Sequence, residues 1–225
     1  ETEQFHIIGT ISITNIVGPL VSGDPDYEIL FNVTGAIDNV KIDFYNGTSY
    51  EDIPGATNLA VDPGPNSYFW TIPATTNKAN CKVRITAVNP NQPGTAKESN
   101  SFWVHGKIGI VEPTASSKWT AGGSGQDIKF NVTGKIDAVN IFYSKNAGVD
   151  GYAYSVTSNL AVGSGLNTFT WNAATLPDDK FSATEARIKV ADAIQSTVLD
   201  PSSNFSLGKI IVSQPDVNSS WVIKQ

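Results

Sequence analysis

The sequence predicts an all-β chain of two tandem antiparallel β-sandwiches, and three observations carry that expectation. Short stretches in which apolar and polar residues alternate recur along the chain, about seven per repeat, the period-2 pattern of half-buried strands. Between them lies turn chemistry: 19 glycines and 12 prolines in 225 residues, with abundant Asn, Ser and Thr, favour strands joined by tight turns over helices. One stretch is also written three times. It is complete at 106–134 (GKIGIVEPTASSKWTAGGSGQDIKFNVTG), eroded in the segment ending at Gly35, and cut short from Gly208 to Gln225. Gly106 and Gly208, Pro113 and Pro215, and Trp119 and Trp221 are each 102 residues apart. That period predicts domains at 1–106 and 107–208, with 209–225 as the first strand of a truncated third repeat, and hence a piece of a longer array.

Each element follows from the same pattern. Ile11 and Ile13 alternate with polar residues, and Gly18-Pro19 and Gly23-Asp24-Pro25 turn the chain. Ile29, Phe31 and Val33 make the next strand, closed by Thr34-Gly35; Ile128, Phe130 and Val132, closed by Thr133-Gly134, repeat it 99 residues later. Val40, Ile42 and Phe44, matched by Val139, Ile141 and Tyr143, complete a hairpin across the core. After a variable loop, Asn66 to Trp70 matches Asn167 to Trp171, so that Tyr68 and Trp70, or Phe169 and Trp171, share one face. Each tryptophan is placed to fill the gap between sheets, a burial worth about 3 kcal/mol or more. The last shared strand is Val83, Ile85, Ala87 in one copy and Ala186, Ile188, Val190 in the other.

Arg84 and Arg187, the only arginines, occupy equivalent outward positions in that strand. Each is expected to pair with an acidic neighbour across the sheet, with contact to another subunit as the alternative. Ser182 to Ala186 is expected to form a turn. Thr14 and Leu20 stand where the second copy has Pro113 and Trp119. The connection Val104-His105-Gly106-Lys107-Ile108 leaves almost no free linker, which predicts a restricted angle between domains and a semi-rigid rod.

The second copy, with Glu112-Pro113, Trp119, Ile128-Lys-Phe, Val139-Asn-Ile-Phe-Tyr-Ser, Asn167-Thr-Phe-Thr-Trp and Ala186-Arg-Ile-Lys-Val, resembles the immunoglobulin-like repeats found in tandem in large prokaryotic surface and S-layer proteins. Related patterns open serine/threonine-rich fungal cell-wall assembly proteins. The resemblance covers 107–207 well and 9–104 more weakly. It implies two tandem Ig-like sandwiches in an extracellular, cell-surface array. The implied role is structural, as a rigid spacer and self-assembly module with copies of itself or neighbouring surface-protein domains as partners. A carbohydrate-binding or adhesion module, with a cell-wall or surface glycan as ligand, is the rival reading.

Bulk composition narrows the function classes. A net charge of -6 and pI near 4.8, with no Lys/Arg cluster, argue against nucleic acid, and no apolar run is long enough to span a bilayer. No leader-like segment opens the chain, the expectation for a piece of a longer polypeptide. Cys81 is the single cysteine; it closes no disulfide within the chain and is expected to behave as a small buried hydrophobe.

Candidate chemistry is sparse. Asp24, Asp26 and Glu28 in a Gly/Pro turn are the oxygen-ligand type that suits Ca²⁺, but they are too few for its six to eight oxygens; a solvated acidic turn is the plainer expectation, as for Asp178-Asp179. Nothing indicates the cleft that paired catalytic carboxylates need, so no catalytic, cofactor or metal residue is assigned and no enzyme is expected. His6 and His105 lack partners at metal-ligand spacing. Asn-x-Ser/Thr occurs at Asn32, Asn46, Asn131, Asn204 and Asn218, with Asn32 and Asn131 outward on strands. Tyr45, Tyr50, Tyr152 and Tyr154 lie in the variable loops, where exposed rings would stack on sugars.

Overall fold

The computed structural model describes residues 8–88, 94–121 and 125–209. The chain divides into two compact units, 1–107 with 132–136, and 108–131 with 137–225. The expected opening strand of a third repeat falls, beyond Lys209, outside the described residues.

In the first unit the strands are β1 (Thr10–Ile13), β2 (Leu20–Val21), β3 (Tyr27–Thr34), β4 (Asn39–Tyr45), β5 (Tyr50–Asp52), β6 (Leu59–Ala60), β7 (Gly64–Trp70), β8 (Lys78–Ala87), β9 (Ala96–Glu98) and β10 (Phe102–His105). They form a three-stranded sheet, β1-β3-β7, and a larger one in the order β2-β10-β8-β4-β5, with β6 on β4 and β9 on β8. Alternation does what the sequence promised: Ile29, Phe31 and Val33 of β3 face Val40, Ile42 and Phe44 of β4 and Val83 and Ile85 of β8, all at most 2 % exposed. Trp70, from β7, lies between the sheets with its ring 4.8 Å from Phe44 and edge-on to Tyr27 at 6.4 Å.

The second unit repeats the plan with β11 (Lys107–Glu112), β12 (Lys118–Ala121), β13 (Gln126–Thr133), β14 (Ala138–Ser144), β15 (Tyr154–Ala161), β16 (Gly165–Trp171), β17 (Ser182–Asp192), β18 (Leu199–Pro201) and β19 (Phe205–Lys209). Its sheets are β11-β13-β16 and β12-β19-β17-β14-β15, with β18 on β17. Tyr143 takes the place of Phe44, 5.2 Å from Trp171, and its hydroxyl donates to the Lys180 carbonyl at 2.7 Å. In each unit an asparagine clips the turn before the tryptophan strand. Asn66 Nδ2 donates to the Asp62 and Gly64 carbonyls, and Asn167 Nδ2 to those of Gly163 and Gly165.

One feature of both units lies beyond the periodicity. The chain's opening segment is shared between sheets, β1 in one and β2 in the other, and β2 pairs in parallel with the final strand β10, Leu20 opposite Val104. In the second unit Trp119 of β12 stands opposite Leu207 of β19, again in parallel. Leu20 and Trp119 are therefore structural equivalents, as the alignment of the copies implies. Antiparallel ladders elsewhere, two facing sheets and this shared opening segment make each unit an immunoglobulin-like β-sandwich.

The expected turn at Ser182 to Ala186 is corrected. These residues open β17, which pairs with β19 but shifts register between Ser182 and Ala186. Ser182 Oγ accepts the Glu185 N–H at 3.0 Å, so the turn-like signal marks a bulge inside a strand. Among the described residues helix is confined to two 3-10 turns, Ala173–Thr175 and Asp178–Lys180.

A candidate interaction surface on the larger sheet of the first unit

Outward positions on adjacent strands line up in rows, and one row of the first unit carries charge on every strand. Asp52 of β5 stands opposite Asp43 of β4, Asp43 opposite Arg84 of β8, and Arg84 opposite Glu98 of β9. Cross-strand neighbours on one face sit close enough to interact, so the two like-charged acids need a cation between them. Lys41, two residues back on β4, supplies it: its Nζ is 3.0 Å from Asp43 and 2.6 Å from Asp52. Arg84 donates through Nε and Nη2 to Asp43 Oδ2, at 3.3 and 2.8 Å. Asp43 is 2 % exposed, so these two cations replace the water its carboxylate has lost.

Tyr50 ties the row together. Its ring lies 3.7 Å beneath the Arg84 guanidinium carbon and 5.1 Å from Tyr45, and its hydroxyl donates to Glu98. Lys82 reaches the other oxygen of Glu98 at 2.8 Å. Lys82, and after it Tyr50, hold the Glu98 carboxyl below the usual glutamate range; Lys41 does the same for Asp52. Burial first, then the Glu98 hydrogen bond, pushes the Tyr50 hydroxyl up to about 12. Three carboxylates (Asp43, Asp52, Glu98) and three cations (Lys41, Lys82, Arg84) thus neutralise one another on one face. Chemically this is a fixed polar platform: a stacked arginine that donates twice to one carboxylate oxygen, and two tyrosines, side chains that protein interfaces favour.

The second unit keeps the arginine but shifts the register and loses the charge. Phe142, the counterpart of Asp43 in the match that sets Tyr143 against Phe44, stands opposite Lys189, and Ser144 stands opposite Arg187. Arg187 donates instead to the Asn204 side-chain oxygen at 2.6 Å, which corrects the expectation of an acidic partner. Arg84 meets that expectation.

The remaining sequence candidates are dispersed. Asp24 spends its carboxylate on its own turn, accepting the Asp26 N–H at 3.3 Å, while Glu28 stands on β3 opposite Phe69. Among the described residues no three His, Cys, Asp or Glu side chains group to hold a metal. Asp179 pairs with Lys180. His105 Nδ1 lies 2.6 Å from the Gly106 carbonyl oxygen; His6 and Asn218 fall outside the described residues. Asn32 and Asn131 do point away from the core. The four tyrosines expected as free stacking rings are half-buried in contacts of their own: Tyr45 and Tyr50 as above, Tyr152 with Lys189 Nζ 4.5 Å from its ring, and Tyr154 at 6.2 Å from Tyr143. Among the described residues the exposed aromatics are Phe69 and Trp103.

Cys81 is buried, as expected for a small hydrophobe, and burial pushes its thiol up to about 11. Both it and Tyr50 gain a raised folded-state pKa, so each contributes stability below its unfolded value, 9 and 10, that is lost as pH climbs through about 11 and about 12. Denaturant midpoints of the folded chain are accordingly expected to hold at mildly alkaline pH and fall steeply above it, with Tyr50→Phe weakening the upper part of the fall. Ellman's reagent should leave Cys81 untouched until the unit unfolds.

No family model matches the sequence, and no curated protein does. Among solved structures the chain is similar to a titin fragment (12 % identity over 88 % of this chain and 98 % of that one, TM-score 0.31). It is also similar to an ectodomain fragment of ICAM-5 (9 %, 88 % and 53 %, TM-score 0.34) and to three N-terminal domains of the bacteriophage RB49 Highly Immunogenic Outer Capsid protein (14 %, 88 % and 59 %, TM-score 0.26).

Proposed function

We propose that the chain is a pair of structural and binding modules from an extracellular cell-surface protein, an S-layer-like spacer that associates with copies of itself or with neighbouring surface-protein domains. The observation that carries this reading is the repetition of one sandwich with the same sheet order, with equivalent landmarks at Leu20 and Trp119, Trp70 and Trp171, and Arg84 and Arg187. Repeated modules hold binding groups at fixed spacing, and chemistry is not needed for that task. An acidic pI, scarce sulfur and abundant Ser, Thr and Asn agree with an exported protein, and no helix among the described residues is long and apolar enough to cross a membrane. The charged row around Arg84 is the face the reading assigns to protein contact.

Sedimentation of the purified chain over a concentration series, with negative-stain microscopy of the concentrated samples, tests it. Ordered association that Tyr50→Ala weakens is the expected result. A chain that stays monomeric throughout while a soluble cell-wall polysaccharide retards it in an affinity gel would replace the spacer reading with a carbohydrate-binding one.

A further inference from the structure

Asn46 is the one asparagine of the sequence followed by glycine, and it sits at the tip of the hairpin between β4 and β5, its N–H donating to the Ser49 carbonyl at 3.0 Å. Its carboxamide is gripped from both ends. Oδ1 accepts the backbone N–H groups of Thr48 at 2.9 Å and Ser49 at 3.0 Å, while Nδ2 donates to the Glu51 carboxylate. Gly47 presents no side chain, adopts φ +87°, and its N–H makes no hydrogen bond among the described residues. A polarised carbonyl, a carboxylate at the leaving nitrogen and an unbonded backbone nitrogen therefore meet at one hairpin tip.

We propose that this hairpin tip is a self-modifying site, at which the fold promotes loss of the Asn46 amide through a succinimide. The Gly47 nitrogen gives its proton to solvent base and attacks Cγ of Asn46; the new N–Cγ bond leaves negative charge on Oδ1. Two N–H groups already point at that oxygen, so the charge develops where donors are in place. The Cγ–Nδ2 bond then breaks, and Nδ2 departs as ammonia with a proton relayed from water by Glu51. Water opens the five-membered imide at either carbonyl and leaves an aspartate or an isoaspartate at position 46. No oxidant or reductant takes part.

The product changes the neighbourhood. Where Nδ2 donated to Glu51, a second carboxylate now faces it, and like charges at contact distance repel. The loop joins Tyr45 to Tyr50, whose rings flank Arg84 in the charged row, so the modification acts at the margin of that surface and makes the chain one charge more negative. The inference is independent of the cell-surface reading, because it needs only water.

Purified folded chain and the same chain held in denaturant are incubated side by side at neutral pH, digested, and mapped for isoaspartate by peptide mass and isoaspartyl methyl transfer. The folded chain is expected to convert Asn46 at least several-fold faster than the unfolded one, and ahead of Asn66 and Asn100, each of which precedes a serine. Glu51→Gln is expected to slow the folded reaction and leave the unfolded rate alone. A folded chain that keeps its Asn46 amide as long as the unfolded chain does, or that converts another asparagine first, overturns the proposal. An unchanged folded rate in Glu51→Gln overturns the proton relay.

Discussion

Trp70→Ala is expected to cost the first unit about 4 kcal/mol, the range measured when a large aromatic is cut from a core that cannot collapse around the void. Trp70 is 2 % exposed, as is Phe44 against which it packs, and Ile42 and Ile72 of the same core cluster are fully enclosed. Strands from both sheets hold them, so no neighbour is free to move into the space. With Cys81 the sole cysteine, no covalent tie compensates. Hydrogen exchange read by mass spectrometry is the suitable measurement, because it resolves the units: amides of β3, β4 and β8 should lose protection while those of β13, β14 and β17 keep theirs. A loss under about 1 kcal/mol would mean that the sheets are held apart from the tryptophan's contribution.

The two arginines offer the second large effect, as a difference. Arg84→Ala removes both hydrogen bonds to Oδ2 of a carboxylate that is 2 % exposed. Stripping one partner from a fully dry pair costs about 3–5 kcal/mol; with Lys41 still 3.0 Å away and Arg84 itself one-third exposed, about 2 kcal/mol is expected. Arg187→Ala breaks a hydrogen bond to a neutral amide, so about 1 kcal/mol is expected. Urea denaturation of both variants, with Asp43→Ser as a third, checks the ordering. Asp43→Ser sets a neutral serine opposite Arg84, as Ser144 stands opposite Arg187 in the second unit, and in that background Arg84→Ala should become mild. Equal costs for the two arginines would show that the buried carboxylate contributes nothing.

The core was legible in the sequence because burial on a strand leaves a period of two. Ile29-Phe31-Val33 and Ile128-Phe130-Val132 announce their inward faces without reference to anything distant, and the structure buries all six. The charged row was only half legible. Arg84 stood out as one of two arginines, but its partners Asp43, Tyr50 and Glu98 come from three other strands. Knowing which outward residue faces which requires the register, and register depends on turns that the variable loops disguise. A signal did exist: Lys41 and Asp43 follow one another on the outward side of one strand, between Val40, Ile42 and Phe44, and charges in such a row call for partners on the adjacent strands. The parallel pairing of β2 with β10 left no trace at all, since two residues carry no period.

That pairing has a consequence for how the unit comes into being. Its hydrogen bonds join Leu20 and Val21 to Val104 and His105, near opposite ends of the unit's sequence, so a ribosome must release nearly the whole repeat before the seam can close. Distant pairings of this kind make for slow folding. A nascent chain stalled after β8 lacks both the seam and the core residues Phe102 and Val104, and the final short strand supplies them together.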